Sequence, residues 1–186
     1  MPVNGYSEYN HFYIYSRLKQ FNVKTVLDMG GRGRSKNRGF DVIDANIKQG
    51  IDATKLPFDD NNFDATISIA TIEHVGDHQK HKLFIQEAVR VSRIISIHWI
   101  PIHSNVEKFL KNLGHKHTCV IPDCDLIVKE LNIDSNMIPF TTIKEHLIFL
   151  ATIYPKLNKP ELHNYILNYG HEIYGMILEI KKEIKK

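Results

Sequence analysis

Lys24–Asn46 reads KTVLDMGGRGRSKNRGFDVIDAN, and how the rest of the chain is read depends on it. Thr25 to Met29 is a short apolar run closed by glycines, as a buried strand is. Phe40 to Ile43 predicts a second strand, and the acid Asp44 follows it. Nucleotide-binding folds place a helix between two such strands. Here only Gly30 to Arg38 lie between them, too few for an ordinary helix. The loop is either a shortened binding turn or one that has lost its ligand.

Outward from this stretch, strands and helices alternate. Tyr9 to Phe21 has the spacing of an amphipathic helix, with Phe12, Tyr13, Leu18 and Phe21 as its expected buried set. Phe63 to Ala70 is β-branched on both faces, as in a central parallel strand. His78 to Val91 has helical spacing through Leu83, Phe84, Ala88 and Val91. Ile94 to Ile100 is a further strand, stopped by Pro101, and Asn105 to Leu113 is a helix ended by Gly114. Beyond it the pattern predicts a short helix at Leu126 to Leu131 and an edge strand at Met137 to Thr141, where Pro139 is tolerated. Lys144 to Ile153 and Glu161 to Ile184 are expected as helices. The fold class is therefore α/β: a Rossmann-like, mostly parallel sheet with helices on both faces, plus C-terminal helices. Ligands in such folds bind at the carboxyl ends of the strands.

Composition narrows the function classes. At 186 residues the chain favours one domain. We divide it into an N-terminal helix or lid (1–22), a core (23–113), and a substrate loop with C-terminal helices (114–186). The formal charge of +3 is too small to imply nucleic acid. Two cysteines make no disulfide framework and suit a reducing cytosol, so a cytoplasmic location is expected. No apolar run is long enough to span a bilayer, and the N-terminus does not have the pattern of a signal peptide. Leu162, Ile166, Tyr169, Ile173, Met176, Ile180 and Ile184 form one apolar seam, interrupted by Gly170 and Gly175. Packing on the chain's own sheet is the expected use of that seam, and a homodimer contact through the C-terminal helix is the alternative.

Four pieces follow in order: VLDMGGRG, Asp44, the block DATKLPFDDNNFD at Asp52 to Asp64, and TIEHV at Thr71 to Val75. Together with Arg90-Val91, they resemble the class I S-adenosylmethionine-dependent methyltransferases, especially the small-molecule type. The resemblance runs from about Val23 to Trp99. It implies that Asp28 orients the turn and the cofactor's methionine end. Gly30, with Gly31 and Arg32 beside it, lines the cofactor, and Asp44 holds the ribose. Asp52 accepts from the adenine amino group, with Ala53 beside the ring, and Ala70 and Thr71 face the methionine portion. His74 or Glu73 is the candidate general base, needed only where the acceptor carries a proton to remove. The chemistry is in-line displacement at a sulfonium methyl, in which positioning does much of the work.

The chain departs from the pattern at the glycines. Where the family alternates three glycines, this chain has Gly30, Arg32 and Arg34. We read the loop as tightened, with Arg32, Arg34, Lys36 or Arg38 set against the methionine carboxylate or simply solvated. The acceptor expected is a small-molecule hydroxyl or amine, on a sugar or metabolite. The alternative is a degenerate methyltransferase fold acting as a binding or regulatory partner. A nicotinamide enzyme is disfavoured by the lack of G-x-G-x-x-G.

His74, His78 and His81 fall at helix-like spacing and are expected to share a face, more simply solvated than metal-binding. His98 and His103 are expected near a substrate-facing loop. His115, His117, Cys119 and Cys124 match no common zinc spacing, so no metal is expected there.

Overall fold

The computed structural model describes residues 5–31, 33, 35–36, 38–102, 104–113, 119–153, 156 and 160–182. The apolar runs become strands β1 (Thr25–Met29), β2 (Asp41–Ala45), β3 (Phe63–Ile69), β4 (Ser92–Pro101), β5 (Ser135–Thr142) and β6 (Ile173–Lys181). The helices are α1 (Gly5–Gln20), α2 (His78–Val91), α3 (Ser104–Asn112), α4 (Cys124–Leu131), α5 (Ile143–Ile153) and α6 (Pro160–Tyr169). They cover one six-stranded sheet of order β2-β1-β3-β4-β6-β5. The pairs β1–β2, β1–β3 and β3–β4 are parallel, while β6 runs antiparallel to both β4 and β5. The chain thus starts in mid-sheet, steps out to β2, and returns past β1 to β3. Between β1 and β3 lies the point where strand order reverses, and open α/β sheets bind their ligands in the crevice at such a point.

Alternation along the strands sends side chains to two cores. Val26, Ala65, Ile67, Ile95, Ile97 and Trp99 pack with Ile14 and Leu18 of α1, Val106 and Leu110 of α3, and Leu147 of α5. Leu27, Met29 and Ile100 pack on the other face with Phe84, Ile85 and Ala88 of α2 and Ile127 of α4. A bidentate ion pair pins α1 to the sheet: Arg17 Nε and Nη2 donate to buried Glu179 at 2.9 and 2.7 Å. Asp64 ties β3 to the start of β1 by accepting from the Lys24 and Thr25 amides at 2.9 and 3.0 Å, and it also pairs with Arg93. Burial alone would raise its pKa, but these donors outweigh burial and hold it at about 2.

The LPF block owes its shape to Arg90. Its guanidinium donates to the Leu56 and Phe58 carbonyls at 3.1 and 2.7 Å, and to Glu87 and Asp60. Glu87 in turn accepts the Leu56 amide at 2.7 Å. This gives a physical reason for an arginine at that point of α2: a planar fork can serve two carbonyls and two carboxylates at once.

Several expectations are corrected. Glu161 to Ile184 is not one helix. α6 stops at Tyr169, and Ile173–Lys181 is a strand between β4 and β5. The Cβ that any other residue would carry at position 175 would stand 2.6 Å from the Trp99 ring, so the glycine there lets β6 pass against it. Ile177, Leu178 and Ile180 are buried in the sheet, which leaves no C-terminal helical seam for a dimer contact. On α1 the buried face is Asn10, His11, Ile14, Tyr15 and Leu18, while Phe12 is 70% exposed. His98 does not face a substrate loop. It lies in the sheet with Nδ1 2.8 Å from Ser68 Oγ and Nε2 2.6 Å from Ser96 Oγ, and Ser96 Oγ lies 2.6 Å from Thr66 Oγ1.

Full burial pushes the His98 pKa down to about 3, so the folded protein keeps it neutral. Between its ordinary value near 6.5 and about 3, the unfolded chain binds a proton that the native state refuses. Stability should therefore fall with pH across that window by about 1.4 kcal/mol per unit from this group. Urea unfolding of wild type and His98→Asn at pH 7 and pH 5 checks this; the variant should lose that part of the pH dependence. Arg90→Lys should lower stability by about 2 kcal/mol, because an ammonium cannot serve all the acceptors at once. Denaturant midpoints measure that cost.

Candidate active site

β1 and β2 run in register, so Asp28 and Asp44 stand side by side at their carboxyl ends. Both are buried. Buried carboxylates need donors, and the short loop supplies them. The Gly33 amide donates to Asp44 Oδ2 at 2.9 Å, and Ser35 Oγ donates to Asp28 Oδ2. The Gly30 amide donates to the Ala45 carbonyl at 2.7 Å, and Asn46 Nδ2 to the Gly31 carbonyl at 3.0 Å. Residues 30–40 contain no helix among those described. Hydrogen bonds from the loop to the two strand ends do the holding instead.

Glycine is required at two of these positions for different reasons. Gly30 has φ +85°, and a Cβ there would lie 2.3 Å from Thr71 Cγ2. The turn after β1 thus packs directly against the loop after β3. Gly31 lies over the acids: its Cβ would stand 2.4 Å from Asp44 Oδ1 and 2.7 Å from Asp28 Cγ. Ala70, where β3 ends, holds φ +52° without being glycine. A β-carbon is uncomfortable there, and such conformations concentrate at functional sites.

The remaining candidates are spread around these strand ends. Asp52 is exposed, and its Oδ1 accepts from the Thr54 amide and hydroxyl, each at 2.8 Å. Those bonds, the amide first, hold its carboxyl below the usual range and keep it ionised. Ala53 is half-buried beside it. Ile72–His74 forms a single 3-10 turn after β3, in which Glu73 is buried and His74 exposed. Glu73 Oε1 lies 3.8 Å from His74 Nε2. The Glu73 carbonyl accepts the Val120 amide at 2.8 Å, which brings the segment before α4 across this rim.

The three histidines do not share a face. The chain breaks after His74, and α2 starts afresh with Asp77 capping the Lys80 amide. His81 is buried, while His78 faces Glu130 of α4 at 3.3 Å. Arg32, Arg34, His103, His115 and His117 lie outside the described residues. Lys36 and Arg38 are exposed; Lys36 Nζ is 4.0 Å from Asp44 Oδ2, and the Arg38 guanidinium sits over the Tyr15 ring at 5.7 Å. Among the described residues no cluster of His, Cys, Asp and Glu forms a metal site. Cys124 is buried, and burial pushes its thiol up to about 12. Sequence reasoning missed Ser35, Asn46 and Tyr15. Ser35 and Asn46 are polar loop residues with no motif of their own, and Tyr15 has the pattern of a core aromatic.

Residues 29–100 match the model of a methyltransferase domain family. Over that segment the chain is similar to the class I S-adenosylmethionine-dependent methyltransferases. The fold matches those of solved methyltransferase structures. A magnesium protoporphyrin IX methyltransferase from Synechocystis PCC 6803, solved with bound S-adenosylhomocysteine, superposes with TM-score 0.60 at 12% identity, over 96% of this chain and 84% of that one. A Galdieria sulphuraria protein assigned as a sarcosine dimethylglycine methyltransferase gives 0.59 at 17% identity, over 95% and 86%. A complex of the Haloferax volcanii Trm112 activator with a methyltransferase gives 0.58 at 13%, over 85% and 81%. No curated protein matches by sequence. Among the described residues no helix is long and apolar enough to cross a membrane.

The Synechocystis neighbour holds S-adenosylhomocysteine, the demethylated form of S-adenosylmethionine. The residues present suit it. Asp44 Oδ1 is buried with no hydrogen-bond partner among the described residues, and a carboxylate oxygen in that position calls for a donor such as a ribose hydroxyl. The close approach of Gly31 to the acids is a backbone cradle that a side chain would fill.

The contact of Gly30 with Thr71 is testable by itself. Gly30→Ala should cost about 2–4 kcal/mol from positive φ and overlap together. In a Thr71→Ala background the overlap is relieved, and only the backbone part, about 1 kcal/mol, should remain. A double-mutant cycle on urea midpoints measures the difference.

Proposed function

We propose that this chain is an S-adenosylmethionine-dependent methyltransferase that transfers the methyl group to a hydroxyl or amine of a small molecule, such as a sugar or other metabolite, with the cofactor held at the β1–β3 switch point. The observation that carries the placement is Asp44 Oδ1, a buried carboxylate oxygen at the carboxyl end of β2 that lacks a donor among the described residues. Gly33 holds the other oxygen, so the carboxylate is already oriented for a ribose hydroxyl. In this reading Gly30 and Gly31 bring the backbone against the cofactor and Asp28 steadies its amino-acid end. Arg32 stands in the same loop. Ionised Asp52 accepts from the adenine amino group beside Ala53. Ala70 and Thr71 face the methionine portion.

The cofactor supplies an electrophilic methyl group. The chain's own task is to align the acceptor, keep water away, and take a proton where there is one to lose. His74 is the better proton acceptor, because it is exposed at the rim while Glu73 is buried behind it. Glu73 then serves by orienting His74 and supporting its charged form. A groove of about 400 Å³ supports a small acceptor. Asn105, Phe109, Tyr165 and Glu172 are among its lining residues, and Phe109 stacks on Tyr165 at 4.1 Å. The groove lies between α3 and α6, with Asn105 soon after β4 and Glu172 just before β6. Aromatic walls with amide and charged ends suit a ring that bears polar groups.

Calorimetric titration with S-adenosylmethionine and S-adenosylhomocysteine tests the site. Both should bind wild type, and Asp44→Ala should weaken each by roughly tenfold to a hundredfold, the worth of a hydrogen bond to a charged group. Folded wild-type protein that binds neither would sink the proposal and favour the non-catalytic reading.

A further inference from the structure

A hydroxyl relay joins α1 to the shortened loop. Tyr15 Oη donates to Ser35 Oγ at 2.7 Å, and Ser35 Oγ donates to Asp28 Oδ2. Its direction is set by chemistry. An ionised carboxylate only accepts, so the one proton of Ser35 goes to Asp28, and Ser35 must take its second bond from Tyr15. Ser35 is fully buried and Tyr15 nearly so. Burial, ahead of any other influence, pushes the Tyr15 pKa up to about 12, so the phenol stays a donor.

Tyr15 also grips the loop at its far end. Its ring lies 6.0 Å from that of Phe40, and the Arg38 guanidinium stands over it at 5.7 Å. One side chain of α1 therefore touches the loop's middle through Ser35 and its exit through Phe40. These are the contacts a helix between β1 and β2 would otherwise replace.

Resting on the cofactor reading above, we infer that Tyr15 and Ser35 are positioning residues for the cofactor's amino-acid end. They act through Asp28 and do the work of the absent helix. They touch no reacting atom. Removing the Ser35 hydroxyl takes a donor from Asp28, and removing the Tyr15 hydroxyl takes away the bond that fixes Ser35; either change frees the loop to shift over Asp28, while Asp44 keeps its Gly33 amide. The loss should then fall on one end of the cofactor and spare the other.

Two ligands separate the ends. S-adenosylhomocysteine carries the amino acid; 5′-methylthioadenosine keeps adenine, ribose and thioether but lacks it. Their affinities for wild type, Tyr15→Phe, Ser35→Ala and Asp44→Ala are compared, with the weaker ligand read by displacement of the stronger. Thermal melts verify folding, and Tyr15→Phe keeps the ring packing. For Tyr15→Phe and Ser35→Ala the S-adenosylhomocysteine Kd should rise about tenfold, against less than about twofold for methylthioadenosine. Asp44→Ala should weaken both. Equal weakening of the two ligands by the hydroxyl variants, or none, overturns the positioning role while leaving the cofactor site in place. Wild type that binds neither ligand overturns the cofactor reading itself, and this inference with it.

Discussion

Two carboxylates buried beneath a loop too short to form a helix are the constraint on which this site is built. Asp28 and Asp44 end adjacent parallel strands, so the sheet brings their negative charges side by side. Charge taken out of water must be met by donors. A helix end would offer a row of amides. Here the donors come one at a time, from Gly33, from Ser35 and, through Ser35, from Tyr15 on another element. The loop's shape follows from that demand. Gly31 passes so near both acids because a side chain there would have nowhere to go.

The same logic holds the rest of the crevice. Asp64 staples the start of β1 to β3, and Arg90 gathers the carbonyls of the LPF turn. Both are ionised groups that satisfy several backbone partners at once, where neutral side chains would need several residues. The loop after β3 is positioned by the sheet behind it and by Gly30 in front, and it carries its strain at Ala70. The strand ends of β1, β2 and β3 therefore form the base of the candidate site. What crosses the rim are the 3-10 turn bearing His74 and the segment bonded to it through Val120.

Much of this was legible in the chain. Apolar runs of β-branched residues gave away β1 to β4, because a strand buried on both faces has little choice of composition. α2 was legible to the residue, since its apolar spacing is regular and Asp77 caps it. Asp44 and Asp52 were marked by their place after extended pieces. The C-terminal region misled because Ile173 to Lys181 alternates in a way that also fits helical spacing. Tertiary pairing with β4 and β5 settled it as a strand. His98 misled for a related reason: a polar residue in an apolar strand suggests a site, yet two serines satisfy both its ring nitrogens inside the core.

By itself the sequence determined the α/β class, the resemblance to a family, and the acids that line the strand ends, since these depend on local pattern and spacing. Only the tertiary structure decided what replaces the missing helix. Tyr15 and Ser35 are 20 residues apart and belong to no motif. Their hydroxyls meet because α1 packs across the sheet beside the loop, and a buried carboxylate takes its donors from whatever the fold brings within reach.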